Sequence, residues 1–475
     1  MFRTLRQRLL ILIATVVCTT ALVVPALRAD DATGLKKIGQ IKTRSANEIK
    51  SSNWSVGAET MDRDFTVYEH WKKYLGPLGV KKARLQSGWA KTEKSPGVYD
   101  WAWLDAIVND MVDQGVEPWM CVCYGNPLYE GGGGTGLGGG LIHGKEALAA
   151  WDRYVAALVE RYKGQIDEWE IWNEPALHKK QDNSNTYADL LMRTASTIKK
   201  HQPNARILGF GMAGIKLDWV KKVLDIVRKE NQLGLIDELT YHPYSFNPDA
   251  SYGAVLRLRK LVQSYDPRII IRQGENGAPS KAGSFGALSK HDWTETSQAK
   301  WALRRLLGDL GRDIPTSYFA ICDMQYPSRR NFKGLLAIHD DKTVDRPKEA
   351  YAAVQHLTAV FDDTVQRIKD FDADITAGGE AKDYTVFGYS APKGTIVTLW
   401  RSSDTPGKKP EVETAIVTLK NTTLKNPVWV DLRTGDVCAI DASNVKTTSG
   451  HVTIHGVPVY DSVILLAERD AIPMR

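Results

Sequence analysis

Two acidic residues in this chain stand where carboxyl chemistry is plausible. Glu174 lies in Glu170-Ile171-Trp172-Asn173-Glu174-Pro175, and Glu275 lies in Arg272-Gln273-Gly274-Glu275-Asn276-Gly277. Trp172 and Pro175 bracket Glu174, and partial desolvation there favours the protonated carboxyl that a general acid needs near neutrality. Asn173 is placed to hydrogen-bond a hydroxyl beside a reacting carbon. Glycines flank Glu275 and let a ligand approach closely. Two carboxyl groups on either side of one bond are what retaining cleavage of a glycosidic linkage requires, one as acid/base and one as nucleophile, about 5–5.5 Å apart. A lone Glu at a strand end is ordinarily a solvated or salt-bridged carboxylate, so the reading depends on what brings the two together.

The positioning elements can be counted. From about residue 50 to 360 strand-like and helix-like runs alternate. The strands read as Trp54–Glu59, Lys82–Gln86, Pro118–Tyr124, Glu168–Trp172, Arg206–Phe210, Glu238–His242, Arg268–Gln273 and Ser317–Cys322. The helices between them read as Tyr68–Leu75, Trp101–Gln114, Lys145–Tyr162, Tyr187–His201, Asp218–Lys229, Ala254–Ser264, Thr294–Leu310 and Lys348–Ala359. Eight strand–helix units in roughly 310 residues fit a (β/α)8 barrel, and Ile269-Ile270-Ile271 is continuously apolar, as a strand buried on both faces should be. A doubly wound open sheet is the competing architecture, but no Gly-rich phosphate turn follows the first strand. In a closed barrel the ends of strands four and seven face each other across the mouth, so Glu174 and Glu275 converge. Beyond about 362 short alternating runs punctuated by Gly, Pro, Asn and Asp read as an antiparallel β-sandwich. The expected organisation is a signal peptide (1–29), a polar leader (30–50), the catalytic barrel (51–361) and the sandwich (362–475).

Trp-Asn-Glu-Pro at the end of strand four with a Glu ending strand seven resembles glycoside hydrolase clan A, the retaining superfamily on TIM barrels. Gly97-Val98-Tyr99-Asp100-Trp101 is similar to the Gly-x-Tyr-Asp-Phe/Trp turn of family 39 xylosidases and family 42 galactosidases, and the trailing sandwich resembles the family 39 layout. The resemblance implies that Glu174 is the acid/base, Asn173 its partner and Glu275 the nucleophile. It also implies that Arg84 on strand two positions the nucleophile, and that His242 and Tyr244 match the clan's His-x-Tyr, with Tyr244 donating to Glu275. The clan's frequent Trp at the end of strand eight is missing from Phe319-Ala320-Ile321-Cys322-Asp323-Met324; Tyr326 is the expected substitute. Trp89, Tyr124 and Asn126 follow strands two and three and are either wall packing or sugar contacts. Asp323 is a further candidate for binding a hydroxyl.

Composition narrows the class. The 475 residues carry a formal charge of +6, but the first 29 hold four Arg and no acid, leaving 58 basic against 56 acidic residues. A near-neutral mature chain gives no reason to expect nucleic acid. Arg3, Arg6 and Arg8 precede the apolar run Leu9–Val24, too short for a comfortable membrane span, and cleavage after Ala26 or Ala29 would yield a secreted or periplasmic protein without stable membrane insertion. The alternative is an uncleaved anchor. Cys121, Cys123, Cys322 and Cys438 show no zinc spacing and read as buried small hydrophobes. His residues are scattered, and the clan's mechanism uses carboxylates alone, so no metal or cofactor is expected. The Gly-rich tract 131–140 lacks the Gly-Lys-Ser/Thr of a phosphate loop; it reads as a flexible loop or a lid. The expected partner is an oligosaccharide or polysaccharide. An exo-acting xylosidase- or galactosidase-like enzyme competes with an endo-glucanase or mannanase, with a non-catalytic sugar-binding barrel and with a structural surface protein.

Overall fold

A computed structural model of the chain describes residues 33–177, 182–378, 383–448 and 450–475. The expected signal peptide, 1–29, lies outside the described residues. Eight parallel strands close into a barrel in sequential order: β1 (Trp54–Gly57), β2 (Lys82–Gln86), β3 (Glu117–Val122), β4 (Glu168–Ile171), β5 (Arg206–Ala213), β6 (Glu238–His242), β7 (Ile270–Asn276) and β8 (Thr316–Tyr318). Closure is the pairing of β8 on β1, with Thr316 opposite Trp54 and Tyr318 opposite Val56. The strands are almost entirely buried, as the outer ring of helices requires. Helix 217–229 illustrates how that ring docks: Val220, Val223, Leu224 and Val227 are buried at spacings of three and four, and the opposite face is charged.

Three local departures from the sequence reading matter for the site. The first helix is a single turn, Tyr68–Trp71, followed by 3-10 turns, because Gly76-Pro77 interrupts the pattern. β7 runs on to Asn276, so Glu275 sits within the strand and not past it. β8 stops at Tyr318, and Phe319–Asp323 leaves the barrel as irregular chain. Cys121, Cys123, Cys322 and Cys438 are buried.

The C-terminal region forms two antiparallel sheets, one of seven strands and one of four. Val397, Leu399, Val417, Leu419, Trp429, Ile454 and Leu466 belong to one buried cluster drawn from both, the packing of a sandwich. The polar leader expected over 30–50 is, from residue 33 on, tied into the fold. Lys37–Gln40 pairs antiparallel with Asp436–Ala439 at the edge of the seven-stranded sheet, and Ile41 is buried. Four residues are too short a run to declare alternation in sequence; the edge is supplied by a strand some 400 residues away.

Helix 295–310 lies where barrel and sandwich meet, and Lys300, Arg304, Arg305 and Asp309 on it are all buried. Lys300 Nζ pairs with Asp461 Oδ1 at 2.7 Å, and Arg304 donates to Asp249 and to the Ser402 carbonyl. Among the described residues no helix is long and apolar enough to cross a membrane.

Candidate active site

Arg84 organises the mouth of the barrel. It sits within β2 with its side chain turned inward and no solvent exposure, where an unpaired charge would be costly. Its guanidinium is therefore surrounded by acceptors. Nη1 lies 2.7 Å from Glu59 Oε1 and 3.2 Å from Glu275 Oε2; Nε donates to Glu170 Oε2 at 2.8 Å; Nη2 donates to Asn173 Oδ1 at 2.9 Å. One cation thus ties the ends of β1, β4 and β7 together. These neighbours raise its proton affinity against the opposing effect of burial, so it is a fixed charge.

Glu174 reaches its place through an unusual backbone. Trp172 and Glu174 both adopt left-handed φ, +68° and +51°, which costs a non-glycine residue of order 1 kcal/mol or more. The turn is held from both sides: the Trp172 N–H donates to the Val122 carbonyl and the Glu174 N–H to the Gly211 carbonyl at 2.8 Å. Gly211 belongs to a bulge of β5 against β6. A Cβ on it would lie 2.7 Å from the Trp172 carbonyl oxygen, so only glycine lets the two backbones meet. Below the turn, Glu170 accepts from Arg84 and from the Thr240 hydroxyl. Burial opposes its charge, but Arg84 and His242 hold its carboxyl below the ordinary value.

Glu275 is gripped by two donors, Arg84 and Tyr244, whose hydroxyl donates to Oε1 at 2.8 Å. Burial and then Glu275 itself keep that phenol protonated, so it remains a donor. His242, at the end of β6, lies between the two acids: Nδ1 is 2.9 Å from Glu174 Oε1 and 3.7 Å from Glu275 Oε2. Burial opposes a charge on the ring, but the two carboxylates raise its affinity for a proton. One oxygen of each Glu and a ring nitrogen of His242 fall within 4.8 Å of one another. Both acids line a cavity of ≈ 780 Å³, ample for a bound sugar and its leaving group. Two carboxyl groups at this separation, one fixed by strong donors, can act as nucleophile and acid/base on one bond.

Most of the sequence-derived residues converge here. Arg84, Asn173, His242 and Tyr244 make the contacts just given; Tyr124 accepts from Asn173 Nδ2 at 2.7 Å, and Tyr326 lines the cavity, its ring 4.4 Å from Phe65. Trp89 borders the cavity, but its side chain is fully buried, stacked on Tyr129 and Tyr154 with Nε1 on Glu93, so the ring is wall packing. Asn126 is corrected: it is buried away from the cavity, donating to the Glu93 carbonyl and accepting from Leu128 N–H to shape the loop. Asp323, a candidate for binding a hydroxyl, is buried, does not border the cavity and pairs with Lys348 at 2.6 Å. The glycine tract is a fitted wall with its own hydrogen bonds, Gly125 N–H to Gly134 and Gly134 N–H to Gly139. A Cβ on Gly134 or Gly139 would clash with the other's backbone, so these glycines serve close backbone packing. Thr135, Gly136 and Leu137 border the cavity.

The sequence reading missed Glu59, Arg63, Gln86 and Phe319, all of which line the cavity, and Lys333, buried near Glu275. Phe319 directly follows β8, where the clan's Trp is missing. Glu59 follows β1 as Glu275 ends β7, and the same strand-end reasoning applies to it.

Fold and paired carboxylates define the class: the chain is a glycoside hydrolase built on a (β/α)8 barrel. Within that class it is most like family 39. The family model Glycosyl hydrolases family 39 matches residues 87–265, a stretch that includes Asn173, Glu174, His242 and Tyr244 and ends before Glu275. A family 39 glycoside hydrolase from the gut symbiont Bacteroides cellulosilyticus WH2 superposes with a TM-score of 0.61 at 17% identity, over 88% of this chain and 81% of its own. A monomeric beta-xylosidase from Caulobacter crescentus CB15 gives 0.58 at 16% identity, over 91% and 97%. The family 39 enzyme from Xanthomonas axonopodis pv. citri gives 0.58 at 18%, over 90% and 95%. These three likenesses concern the fold. No curated protein matches significantly.

Proposed function

We propose that the protein is an exported, retaining, exo-acting glycosidase of the xylosidase or galactosidase kind. Glu275 is the nucleophile and Glu174 the acid/base. The observation that carries the reading is the approach of the two carboxyl groups, with oxygens within 4.8 Å; that separation leaves no room for the extra water of an inverting enzyme. In the first step Glu174 protonates the leaving oxygen while Glu275 attacks the anomeric carbon. In the second, Glu174 takes a proton from water, which displaces Glu275 and restores the starting configuration. Arg84 and Tyr244 donate to Glu275 and keep it aimed. Asn173, fixed between Arg84 and Tyr124, presents its amide toward a hydroxyl beside the reacting carbon. The beta-xylosidase among the superposed structures and the Gly97–Trp101 turn favour a small neutral sugar.

The test is a panel of nitrophenyl glycosides, with NMR of the first-formed product on the best substrate. Turnover with retention supports the reading; an inverted product makes Glu275 a base that activates water. Export rests on the Arg-rich start and apolar run of residues 1–29. N-terminal sequencing of exported protein should find a start near Leu27 or Asp30, and an intact Met1 in a membrane fraction would overturn it.

A further inference from the structure

Glu59 is a third carboxyl group in the mouth of the barrel. It follows β1, borders the cavity and is 4% exposed. Its Oε1 accepts from Arg84 Nη1 at 2.7 Å, the same nitrogen that reaches Glu275 Oε2 at 3.2 Å. The side chain's other oxygen, Oε2, makes no hydrogen bond among the described residues. On its protein side Glu59 is walled in: a Cβ on Gly57 would lie 3.3 Å from both Glu59 Oε1 and the Phe319 ring. The carboxyl group is therefore anchored at one oxygen by a buried guanidinium and bare at the other, in a cavity that has to satisfy sugar hydroxyls.

The groups around it come from several strands of the barrel. Arg84 faces it from β2, Glu275 from β7 and His242 from β6, with Tyr244 and Tyr326 nearby. Glu170 from β4 shares Arg84, and Glu174 shares His242. Three carboxyl groups thus compete for one guanidinium, and the cluster cannot ionise fully without cost. Burial, opposed by Arg84 and reinforced by Glu275, pushes the Glu59 carboxyl up to about 7.

We propose that Glu59 binds a hydroxyl of the sugar that is cleaved and, by sharing Arg84 with Glu275, couples sugar recognition to the charge on the nucleophile. The proposal rests on the glycosidase reading of the site. A carboxyl group anchored in this way accepts a hydrogen bond from a hydroxyl when ionised and can donate one when protonated, so a neutral, hydroxylated sugar suits it. A sugar acid would bring a fourth carboxylate to the same cation.

The test is a substrate-by-mutant cycle. The best aryl glycoside of the panel and its monodeoxy derivatives, each lacking one sugar hydroxyl, are assayed with wild type, Glu59→Ala and the near-isosteric Glu59→Gln. For one derivative the wild type should lose about tenfold in kcat/KM, the scale of a hydrogen bond to a charged group. Glu59→Ala should lose little further on that derivative, and full losses on the others. Glu59→Gln keeps an acceptor for Arg84 but cannot ionise. It should shift the alkaline limb of activity, where the cluster gives up its last shared proton, down by about half a pH unit or more, and leave the acid limb in place. If Glu59→Ala does not fold, the cycle is read on Glu59→Gln. Equal losses for wild type and variant on every derivative overturn the proposal while leaving the glycosidase reading intact. A wild type that cleaves no glycoside overturns both.

Discussion

Glu59→Gln should make the protein more stable at neutral and alkaline pH, by an amount that vanishes in acid. In the folded protein the Glu59 carboxyl is pushed up to about 7, chiefly by burial, from an ordinary 4.5. The native state therefore binds its proton more tightly than the unfolded chain does. Between pH 4.5 and 7 the unfolded chain releases that proton while the native state retains it, so stability falls as pH rises through this window. At 1.36 kcal/mol per tenfold difference in proton affinity, the full effect is about 3 kcal/mol above pH 7 and nothing below pH 4.5. Gln cannot ionise and escapes the loss, and its amide oxygen still accepts from Arg84, which retains Glu170 and Glu275 as counter-charges. For a domain of this size a gain of 3 kcal/mol raises the melting temperature by about 5 °C. Thermal melts of both proteins at pH 4.5, 6, 7 and 8 provide the assay, and the signature is a difference that grows from zero to its maximum across the series. A Gln variant that is destabilised by the same amount at every pH would refute the reasoning, because it would mean that Glu59 contributes as an ordinary ion-pair partner of Arg84. The same variant should be a poorer enzyme, since a strained charge kept at a site is kept at the expense of stability.

Glu275→Ala should lose activity by about 10⁴-fold or more, and added azide should yield a glycosyl azide of inverted configuration, detectable by NMR. Glu174→Ala should lose about 10²–10⁴-fold on glycosides with poor leaving groups but retain a fast first step on activated aryl glycosides, with azide speeding release of the glycosyl-enzyme; equal loss on both, without azide rescue, would remove Glu174 from the acid/base role. Asp461→Ala strips the carboxylate from buried Lys300 between helix 295–310 and the sandwich. It should cost about 3–5 kcal/mol in thermal melts while the folded fraction keeps its kcat, because Asp461 is remote from the cavity.

The barrel was legible because its information is local and repeated. Strands such as Ile269-Ile270-Ile271 are short apolar runs, helices carry stripes such as Val220, Val223, Leu224 and Val227, and the count of eight tolerates errors of several residues at every boundary. Glu174 and Glu275 were legible for the same reason, since a closed barrel brings the ends of strands four and seven together wherever the intervening helices stop. What was not legible depends on contacts made across the closed structure. The strand 37–40 is declared only by its partner at 436–439. Whether Trp89 faces sugar or core depends on Tyr129 and Tyr154, which approach it from a loop and a helix further along the chain. The glycine tract reads as flexible because glycine is permissive, but here Gly131, Gly132, Gly133, Gly134 and Gly139 stand where two backbones touch.

Glu59 and Glu170 show the limit most sharply. In sequence they are acids in or beside strands, no different from the many that pair at a surface. Their meaning comes from a single arginine, because Arg84 can satisfy more carboxylates by hydrogen bonding than it can neutralise by charge. Its guanidinium reaches Glu59, Glu170 and Glu275 and carries one positive charge among them. Glu170 is the acid whose charge Arg84, His242 and Thr240 sustain, and Glu275 has a second donor in Tyr244. The Glu59 carboxyl group, with Arg84 as its one hydrogen-bonding partner among the described residues, is where the deficit falls, and Glu59 borders the cavity. A bound hydroxyl would supply the partner that the fold does not.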